Sequence, residues 1–182
     1  METLPKGVET KMVDVWFQDE ARVGQQGRTT RIWTIKGTRP RAIKQLQFTN
    51  TYIFGAVCPR KNLSAALIMP YVGTASMERH LEEISKNVAP GRHAVVVIDQ
   101  ASWHTTKDLK APANISLLPL PPYSPELNPC EQIWQFLRDR YLSNRCFSGY
   151  DDIVDACVHA WNRFISLPEK IKIMCSRSWA TC

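Results

Sequence analysis

Three acidic residues stand where carboxylates could do chemistry. Asp19 closes the β-branched and aromatic segment VDVWFQD, and Asp99 closes the apolar segment HAVVVID. Glu131 follows the proline-rich stretch PPYSPELNPC, at the start of a helical pattern. Sites in open α/β sheets form beyond strand ends, so two adjacent strands that end in Asp would bring like charges together. Such charges repel unless a proton or a cation compensates them, and oxygen ligands without a Cys/His cluster favour Mg²⁺ or Mn²⁺ over zinc.

Each of these acids also has a purely structural interpretation. Asp19 and Asp99 could simply end strands in turns. The run from Asn128 to Glu131 fits the N-cap to N3 positions of a helix, and a Glu at N3 completes a capping box. Capping and chemistry are compatible for Glu131, because the first helical turn holds the residue rigidly.

Two other acids compete for the same roles. Glu126 precedes Glu131 by five positions but lies inside the proline-rich loop. Glu20 directly follows Asp19, and alternation along a strand turns its side chain to the opposite face. We therefore favour Asp19 and Glu131 over these neighbours.

The periodicity of apolar residues predicts the elements that must position the acids. Strands are expected where β-branched and aromatic residues cluster, at 13–19, 31–35, 51–58, 63–69, 93–99 and 115–120. Helices are expected where apolar residues recur every three or four positions: from an N-cap at Thr74 to Pro90, over 128–142, and from about Asp151 to Ile165 with Ser148 as cap. This order indicates an α/β fold with a mixed sheet, in which an antiparallel meander joins parallel strands.

The composition is that of a basic globular protein. Of 182 residues, 44% are apolar and 22% charged, and 23 Lys and Arg exceed 17 Asp and Glu by six, which makes a polyanion a plausible partner. The longest aliphatic run, AVVVI, is too short to cross a bilayer, and the first residues lack the layout of a signal peptide. We therefore expect a cytoplasmic protein without a membrane partner. Six scattered cysteines without a CxxC pair indicate reduced thiols and argue against zinc.

A basic segment follows Asp19 in the sequence. Residues 28–44 contain no acid and six basic residues, which are Arg28, Arg31, Lys36, Arg39, Arg41 and Lys44. Such residues could contact phosphates and position a nucleic acid without reading its sequence. The alternative is a β-hairpin whose basic side chains face water.

The segments FQDE, IDQASWH and LPPYSPELNPCEQIW together resemble the DDE transposases of bacterial insertion sequences in the mariner superfamily. The resemblance covers about residues 13–150, and its third segment is long and specific. It implies a ribonuclease H-like catalytic domain, which is an α/β fold with a mixed sheet flanked by helices. The family's acidic triad maps onto Asp19, Asp99 and Glu131, and 32 positions separate the last two. Gln100 stands where many members have Asn, which leaves the triad intact.

The resemblance implies phosphoryl transfer on double-stranded DNA by a DDE-type endonuclease. Asp19, Asp99 and Glu131 would hold two Mg²⁺ or Mn²⁺ ions, water would cleave a strand at a transposon end, and the freed 3′-hydroxyl would attack target DNA. His104 would support the site from behind a ligand or contact a phosphate, and the alternative is a histidine that packs beside Trp103. Family analogy also suggests a homodimer on DNA, associated with the nucleoid of a bacterial cell.

The resemblance also exposes a difference in domain organisation. Family members carry helix-turn-helix modules before the catalytic domain, whereas here the first catalytic strand is expected near residue 13. We therefore expect residues 1–182 to form a single ribonuclease H-like catalytic domain from a split, frameshifted, truncated or degenerate transposase. A separately encoded helix-turn-helix half would then be a partner. Two other functions are left open, a ribonuclease H-like nuclease without strand transfer and an inactive, transposase-derived DNA-binding protein.

Overall fold

A five-stranded mixed sheet forms the centre of the molecule. The computed structural model describes residues 8–27, 29–41, 43–177 and 179. The strands run, in chain order, over Val13–Gly24 (β1), Asn50–Cys58 (β2), Leu63–Met69 (β3), His93–Ile98 (β4) and Ile115–Pro119 (β5). Their spatial order is β3-β2-β1-β4-β5; β1, β2 and β3 form an antiparallel meander, while β4 and β5 join β1 in parallel. This is the mixed α/β sheet that the sequence predicts.

Helices cover both faces of the sheet. They run over Thr74–Lys86 (α1), Ser102–Thr105 (α2), Cys130–Leu137 (α3), Tyr150–Ile165 (α4) and Lys170–Cys175 (α5), and a π-helical turn at Arg138–Leu142 extends α3. Helix α1 packs on one face, whereas α3, α4 and α5 pack on the other. Within the described ranges, no helix combines the length and the apolar content that crossing a bilayer requires.

Alternation along the strands divides the apolar residues between two cores. In β1, Phe17 belongs to the larger core under α3 and α4, whereas Trp16 belongs to the smaller core under α1. Every residue of β4 is buried, which explains why its sequence is a continuous apolar run. The same alternation turns Asp19 toward the α3 side of the sheet and Glu20 toward the α1 side.

The expected strand at 31–35 is wrong. These residues lie in the long loop between β1 and β2, and the Trp33 side chain is fully exposed. β-Branched and aromatic residues favour a strand only where a neighbouring strand is available for pairing. Both edges of β1, the strand that precedes the loop, are already paired with β2 and β4, so residues 31–35 cannot form a hairpin with β1. Helix α5, which the sequence analysis does not predict, is short and is held by the buried side chains of Ile171 and Cys175.

Two helix starts also differ from the expectations by one residue. Gly73, and not Thr74, is the N-cap residue of α1. Gly149 is the N-cap residue of α4, and Ser148 instead donates from its backbone N–H and its hydroxyl to Asp152 Oδ2. Helix boundaries depend on backbone bonding as well as side-chain preference, so a candidate cap can miss the true position by a residue.

The cysteines within the described residues are free thiols, and all but Cys146 are buried. Burial raises the pKa of Cys157 and of Cys175 to about 12. These thiols therefore stay protonated and serve as small apolar side chains. Cys182 lies outside the described residues.

A close approach at Gly55 lets α3 and α4 pack directly on β2. Gly55 pairs with Asp19 across the antiparallel ladder. A Cβ atom at this position would lie 2.6 Å from Trp134 Cη2 and 2.9 Å from Trp161 Cη2. The two indoles are neighbours, with ring centroids 6.1 Å apart, so the space above Gly55 is fully used.

Gly55→Ala is expected to destabilise the protein by about 1–3 kcal/mol, because the new methyl group would overlap two buried indole rings. Urea unfolding followed by tryptophan fluorescence measures the effect. Gly27→Ala is the matched control, since a Cβ there would meet its nearest atom at 3.4 Å, and it should shift stability by less than about 0.5 kcal/mol. Equal losses in the two variants would contradict the packing argument.

Candidate active site

Parallel pairing of β1 with β4 brings two aspartates to one edge of the sheet. The last paired residues are Phe17 and Val97, and Asp19 and Asp99 each follow two positions later. Strand β4 ends one residue before Asp99, whereas β1 continues beside β2. The end of β4 therefore opens a space beside the central strand, and both aspartates border it.

Hydrogen bonds to β1 fix the start of α3 and with it Glu131. The Asn128 side chain donates to the Gln18 carbonyl oxygen at 2.9 Å and accepts from the Cys130 backbone N–H at 3.1 Å. The Cys130 thiol donates to the Phe17 carbonyl oxygen at 3.3 Å. Because these three hydrogen bonds are buried, the first turn of α3 has a fixed position relative to the strand that carries Asp19.

The structural alternative for Glu131, a capping box, does not form, because the Asn128 backbone N–H donates to the Pro125 carbonyl oxygen at 3.0 Å. Asn128 alone bonds a backbone N–H of the first turn, and the Glu131 carboxylate points outward, 52% exposed and 4.0 Å from Arg138 Nη2. The regular helix is also shorter than the expected 128–142, since it begins at Cys130 and becomes π-helical after Leu137. The Glu131 side chain is thus free of helix capping and available to the surroundings.

The three carboxylates line a single cleft. The cleft has a volume of about 430 Å³, and its other lining residues come from the loops after β4 and β5: Gln100, Ala101, Leu120, Pro121, Pro122, Tyr123, Ser124, Pro125 and Asn128. Gln100 Nε2 joins these two loops by donating to the Leu120 carbonyl oxygen at 2.9 Å. The structure thus brings Asp19, Asp99 and Glu131 to one place, and the lining does not include the competing Glu126.

Asp19 is the least exposed of the three acids. Burial raises the pKa of Asp19 to about 7, and the negative charges of Glu20 and Glu131 act in the same direction. A hydrogen bond of 2.7 Å from Trp134 Nε1 to Asp19 Oδ2 opposes this shift. Asp19 therefore keeps its proton to a much higher pH than an ordinary carboxyl group, and a cation in the cleft would favour its ionised form.

Asp99 is held by the loop that follows it. Its Oδ1 accepts hydrogen bonds from the Ala101 backbone N–H at 2.9 Å and from His104 Nδ1 at 2.6 Å. The bond from His104 lowers the pKa of Asp99, so this carboxylate is ionised at neutral pH. The Asp99 side chain is 54% exposed and faces the cleft.

His104 is buried and joins two acids. Its second ring nitrogen, Nε2, lies 2.8 Å from Glu20 Oε1. Burial alone would lower the pKa of His104, but the hydrogen bonds with Asp99 and Glu20 raise it to about 9, so the ring is positively charged at neutral pH. The His104 side chain has no exposed surface, which leaves it no face for a phosphate.

The donor atoms of the cleft fit hard divalent cations. The charged groups that line it are the carboxylates of Asp19, Asp99 and Glu131, and its lining includes neither cysteine nor histidine; this chemistry suits Mg²⁺ or Mn²⁺. The raised pKa of Asp19 reflects burial beside negative neighbours, which a cation would offset. Among the described residues, no three Asp, Glu, His or Cys side chains already converge as metal ligands. Asp99 and Glu131 are half exposed, so both carboxylates are accessible to an ion from solvent.

The basic segment borders the site from the long loop between β1 and β2. Its described basic residues are all exposed: Arg31, Lys36, Arg39, Arg41 and Lys44. Arg28 lies outside the described residues. Thr29 and Thr30 line a second cleft together with Glu131, and Thr30 exchanges two hydrogen bonds of 3.1 Å with the Asn144 side chain. The loop thus starts next to the third carboxylate. It is irregular and not the hairpin that the alternative interpretation expects.

Sequence reasoning missed three residues that shape the site. Trp134 is predicted only as part of an apolar helix face, yet it bonds Asp19. Glu20 is discounted for facing the other side of β1, yet it contacts His104. Tyr123 is fully exposed at the rim of the cleft and has a left-handed backbone with φ of 56°. A tyrosine between prolines in a polar loop was the available signal for this last residue.

Comparison with known proteins identifies related sequences. The family model for the DDE superfamily endonucleases matches residues 14–154. The uncharacterized protein y4pE/y4sA of Sinorhizobium fredii strain NBRC 101917 / NGR234 is 56% identical over 129 residues, which cover 71% of this chain and 96% of the relative.

Solved structures of the Mos1 mariner transposase share the fold. Its paired-end complex with Mn superposes with a TM-score of 0.64 at 15% identity, over 87% of this chain and 50% of the Mos1 chain. Its strand transfer complex gives 0.64 at 16% identity, over 90% and 50%. At such identities the likeness concerns the fold, which is the ribonuclease H-like one that the sequence analysis expects. The chain spans half the length of these solved proteins.

Asp19→Asn is expected to change how stability depends on pH. The pKa of Asp19 is about 7 in the folded protein and about 4 in an unfolded chain, so the proton it binds stabilises the fold fully below about pH 4. This contribution is lost as pH rises to 7. In buffer without divalent ions, urea unfolding between pH 4 and 8 should show the variant gaining stability over the wild type, by on the order of 1 kcal/mol or more. Parallel stability curves would contradict the assignment.

Proposed function

Because the chain belongs to the DDE superfamily of endonucleases, we propose that it is the catalytic domain of a transposase, which cleaves DNA strands and joins the freed 3′-hydroxyl to target DNA. The single observation that carries this proposal is the meeting of Asp19, Asp99 and Glu131 in one cleft, from strand β1, the loop after β4 and helix α3. Each of these acids comes from a different segment of the family resemblance. The proposal assigns them the catalytic role.

The three carboxylates are proposed to hold two divalent cations, Mg²⁺ or Mn²⁺. Solved relatives of this fold were crystallised with each of these ions. When bound, the ions would supply an activated water and neutralise the leaving 3′ oxygen in an in-line displacement. The protein contributes position: Asp99 is ionised and fixed by its loop, Glu131 is fixed by the start of α3, and Asp19 loses its remaining proton in favour of a cation.

The substrate is proposed to be double-stranded DNA, at transposon ends and at the target. A cleft lined by three acids repels a phosphodiester unless cations are present, so binding must draw on positive charge elsewhere. The exposed basic residues of the loop between β1 and β2 provide it, since that loop begins next to Glu131. These contacts would position DNA without reading bases.

The assembly and the location follow from the same proposal. The family resemblance supports a homodimer on DNA, and the exposed apolar side chains of the basic loop, Trp33 and Ile35 among them, offer surface for it. A separately encoded helix-turn-helix half is proposed to recognise the ends of the element, with residues 1–182 acting as a single catalytic domain. A DNA substrate implies work at the nucleoid, in the bacterial cytoplasm.

Asp19→Ala, Asp99→Ala and Glu131→Ala are each expected to lower Mn²⁺-dependent nicking of a supercoiled plasmid by at least about 100-fold. Each change removes a charged ligand from the cleft, and the proteins should stay folded by circular dichroism. Glu126→Ala is the matched control, because it removes an exposed acid that lies near Glu131 in sequence but outside the lining of the cleft; its nicking rate should equal that of the wild type. Near-normal nicking by Asp99→Ala would end the assignment.

Joining of a precleaved end to a plasmid separates the proposal from its rivals. The wild-type protein with Mn²⁺ should give joined product. Nicking without joining would instead indicate a nuclease, and salt-sensitive binding without nicking would indicate a DNA-binding protein that has lost catalysis.

The double variant Arg39→Ala/Arg41→Ala is expected to weaken DNA binding at all sequences and to reduce the salt dependence of binding. If all six basic residues contact phosphates, the slope of log K against log salt is about −5, and two fewer contacts should reduce its magnitude by about 2. Fluorescence anisotropy with labelled duplex at several salt concentrations measures this slope. Lys86→Ala, at the last residue of α1 and outside the basic segment, should leave it unchanged. An unaltered slope in the double variant would exclude the loop as the phosphate-binding surface.

A further inference from the structure

A buried hydrogen-bond chain connects Glu20, His104 and Asp99. Glu20 Oε1 lies 2.8 Å from His104 Nε2, and His104 Nδ1 lies 2.6 Å from Asp99 Oδ1. The His104 side chain is fully buried, and the Glu20 side chain is 8% exposed. Of the three side chains in this hydrogen-bond series, only Asp99 reaches the cleft, and its side chain is 54% exposed. The chain therefore runs from the α1 side of the sheet to the proposed metal-binding edge.

Both ring nitrogens of His104 face carboxylate oxygens, which are acceptors. A neutral imidazole has one N–H and could satisfy one of them, whereas a doubly protonated ring donates to both. Charge-assisted bonds of this kind are short and strong, and here they are shielded from water. The ring is thus locked at both ends, and Asp99 is locked to the ring.

The bonding pattern selects one oxygen of Asp99. Oδ1 accepts from both His104 Nδ1 and the Ala101 backbone N–H. Within the described structure, Oδ2 is the Asp99 oxygen left for an incoming ligand. A carboxylate held in one rotamer loses less entropy when it binds a cation than one that rotates freely.

The position of Glu20 next to Asp19 in β1 turns its side chain toward His104. Asp19 and Glu20 are consecutive in β1, so one side chain turns to the cleft and the other to the α1 side. Gln18 Nε2 also donates to Glu20 Oε1, at 3.1 Å, and holds the carboxylate toward the ring. One dipeptide of β1 thus contributes to both sides of the site.

We propose that Glu20 and His104 are positioning residues that hold the Asp99 carboxylate with Oδ2 presented to a divalent cation. This inference rests on the proposed function, because it takes Asp99 as a metal ligand. Neither Glu20 nor His104 touches the substrate. Their effect is on the affinity and geometry of the cation site, and outer partners of metal ligands typically change metal affinity by 10–100-fold.

The test compares variants that alter the hydrogen-bond series Glu20–His104–Asp99 in different ways. His104→Asn keeps an amide N–H close to the place of Nδ1 and can still bond Asp99. His104→Gln extends its amide to the place of Nε2 and can bond only Glu20. Glu20→Gln keeps the shape of the chain and removes one charge. Glu82→Gln removes the same charge from an exposed position on α1 and is the matched control.

Two quantities are measured. The Mn²⁺ dissociation constant comes from the loss of the free-ion signal in electron paramagnetic resonance, and the half-saturating Mn²⁺ concentration comes from the nicking assay. We expect the Mn²⁺ dissociation constant and the half-saturating Mn²⁺ concentration to rise 10–100-fold in His104→Gln. Glu20→Gln and His104→Asn keep a donor to Asp99, so both quantities should rise there by less than about 10-fold, and Glu82→Gln should leave them unchanged. The double variant Glu20→Gln/His104→Gln should match His104→Gln alone, because Glu20 acts through the ring. A crystal structure of His104→Gln should show the Asp99 carboxylate rotated.

Wild-type Mn²⁺ affinity in folded Glu20→Gln and His104→Gln proteins would overturn the positioning role while leaving the proposed function standing. Equal losses in His104→Asn and His104→Gln would also overturn it, because only His104→Asn can still donate a hydrogen bond to Asp99. If His104→Gln does not fold, Glu20→Gln and His104→Asn still decide the matter. Failure of the wild-type protein itself to bind Mn²⁺ and to nick DNA would instead refute the proposed function. In that case the crystal structure of His104→Gln still tests the positioning role, which an unchanged Asp99 rotamer would refute.

Discussion

Two parallel strands that lie side by side end at the same edge of a sheet, and this constraint organises the whole site. The pairing of Phe17 with Val97 sets the register of β1 against β4. Two residues further on, Asp19 and Asp99 border one opening. Everything nearby has to accommodate two acids that the backbone has placed together, because a slip of the register by one residue would turn an aspartate to the wrong face.

The repulsion between these two carboxylates is reduced because their surroundings shift their pKa values in opposite directions. Asp19 is desolvated and receives a neutral indole N–H from Trp134, and its pKa is about 7. Asp99 is exposed and receives a bond from a charged imidazole, and its pKa lies below the usual value. Environments that push the pKa values of two carboxylates apart are a common feature of catalytic sites. Without a cation, the cleft therefore carries less negative charge than three free carboxylates would give it, and the fold tolerates the arrangement.

The packing of the core places the Trp134 indole N–H within hydrogen-bonding distance of Asp19. Trp134 can bond Asp19 only because α3 lies close to the sheet, and it lies close because β2 has no side chain at Gly55. Gly55 is also the residue paired with Asp19. A single glycine thus links the depth of the helix layer to the protonation of the buried acid.

The local pattern of the sequence predicted those features that depend on short-range periodicity. The strands around 51–58, 63–69 and 93–99 carry continuous or alternating apolar residues, and each is present within one residue of its predicted bounds. The segment 31–35 has the same local character but lies in the loop after β1 and pairs with no strand. The contact of Glu20 with His104 spans 84 positions, and no pattern within either segment signals it. The three candidate acids were found because strand ends and a helix start are themselves local features.

Glu131, the third acid, is positioned by hydrogen bonds between the start of α3 and the backbone of β1. These bonds explain how a helix contributes to a site whose other two acids follow the strand pairing of β1 and β4. Beyond Phe17, β1 no longer has β4 as a partner. At this point, Asn128 and Cys130 bond the carbonyl oxygens of Gln18 and Phe17, so the start of α3 takes up backbone groups of the central strand. Prolines in the preceding loop restrict its conformations before these bonds form, which lowers the entropy lost in fixing α3. Since Glu131 directly follows Cys130, its position relative to Asp19 is set by main-chain bonding of the same strand and does not depend on the charge of either acid.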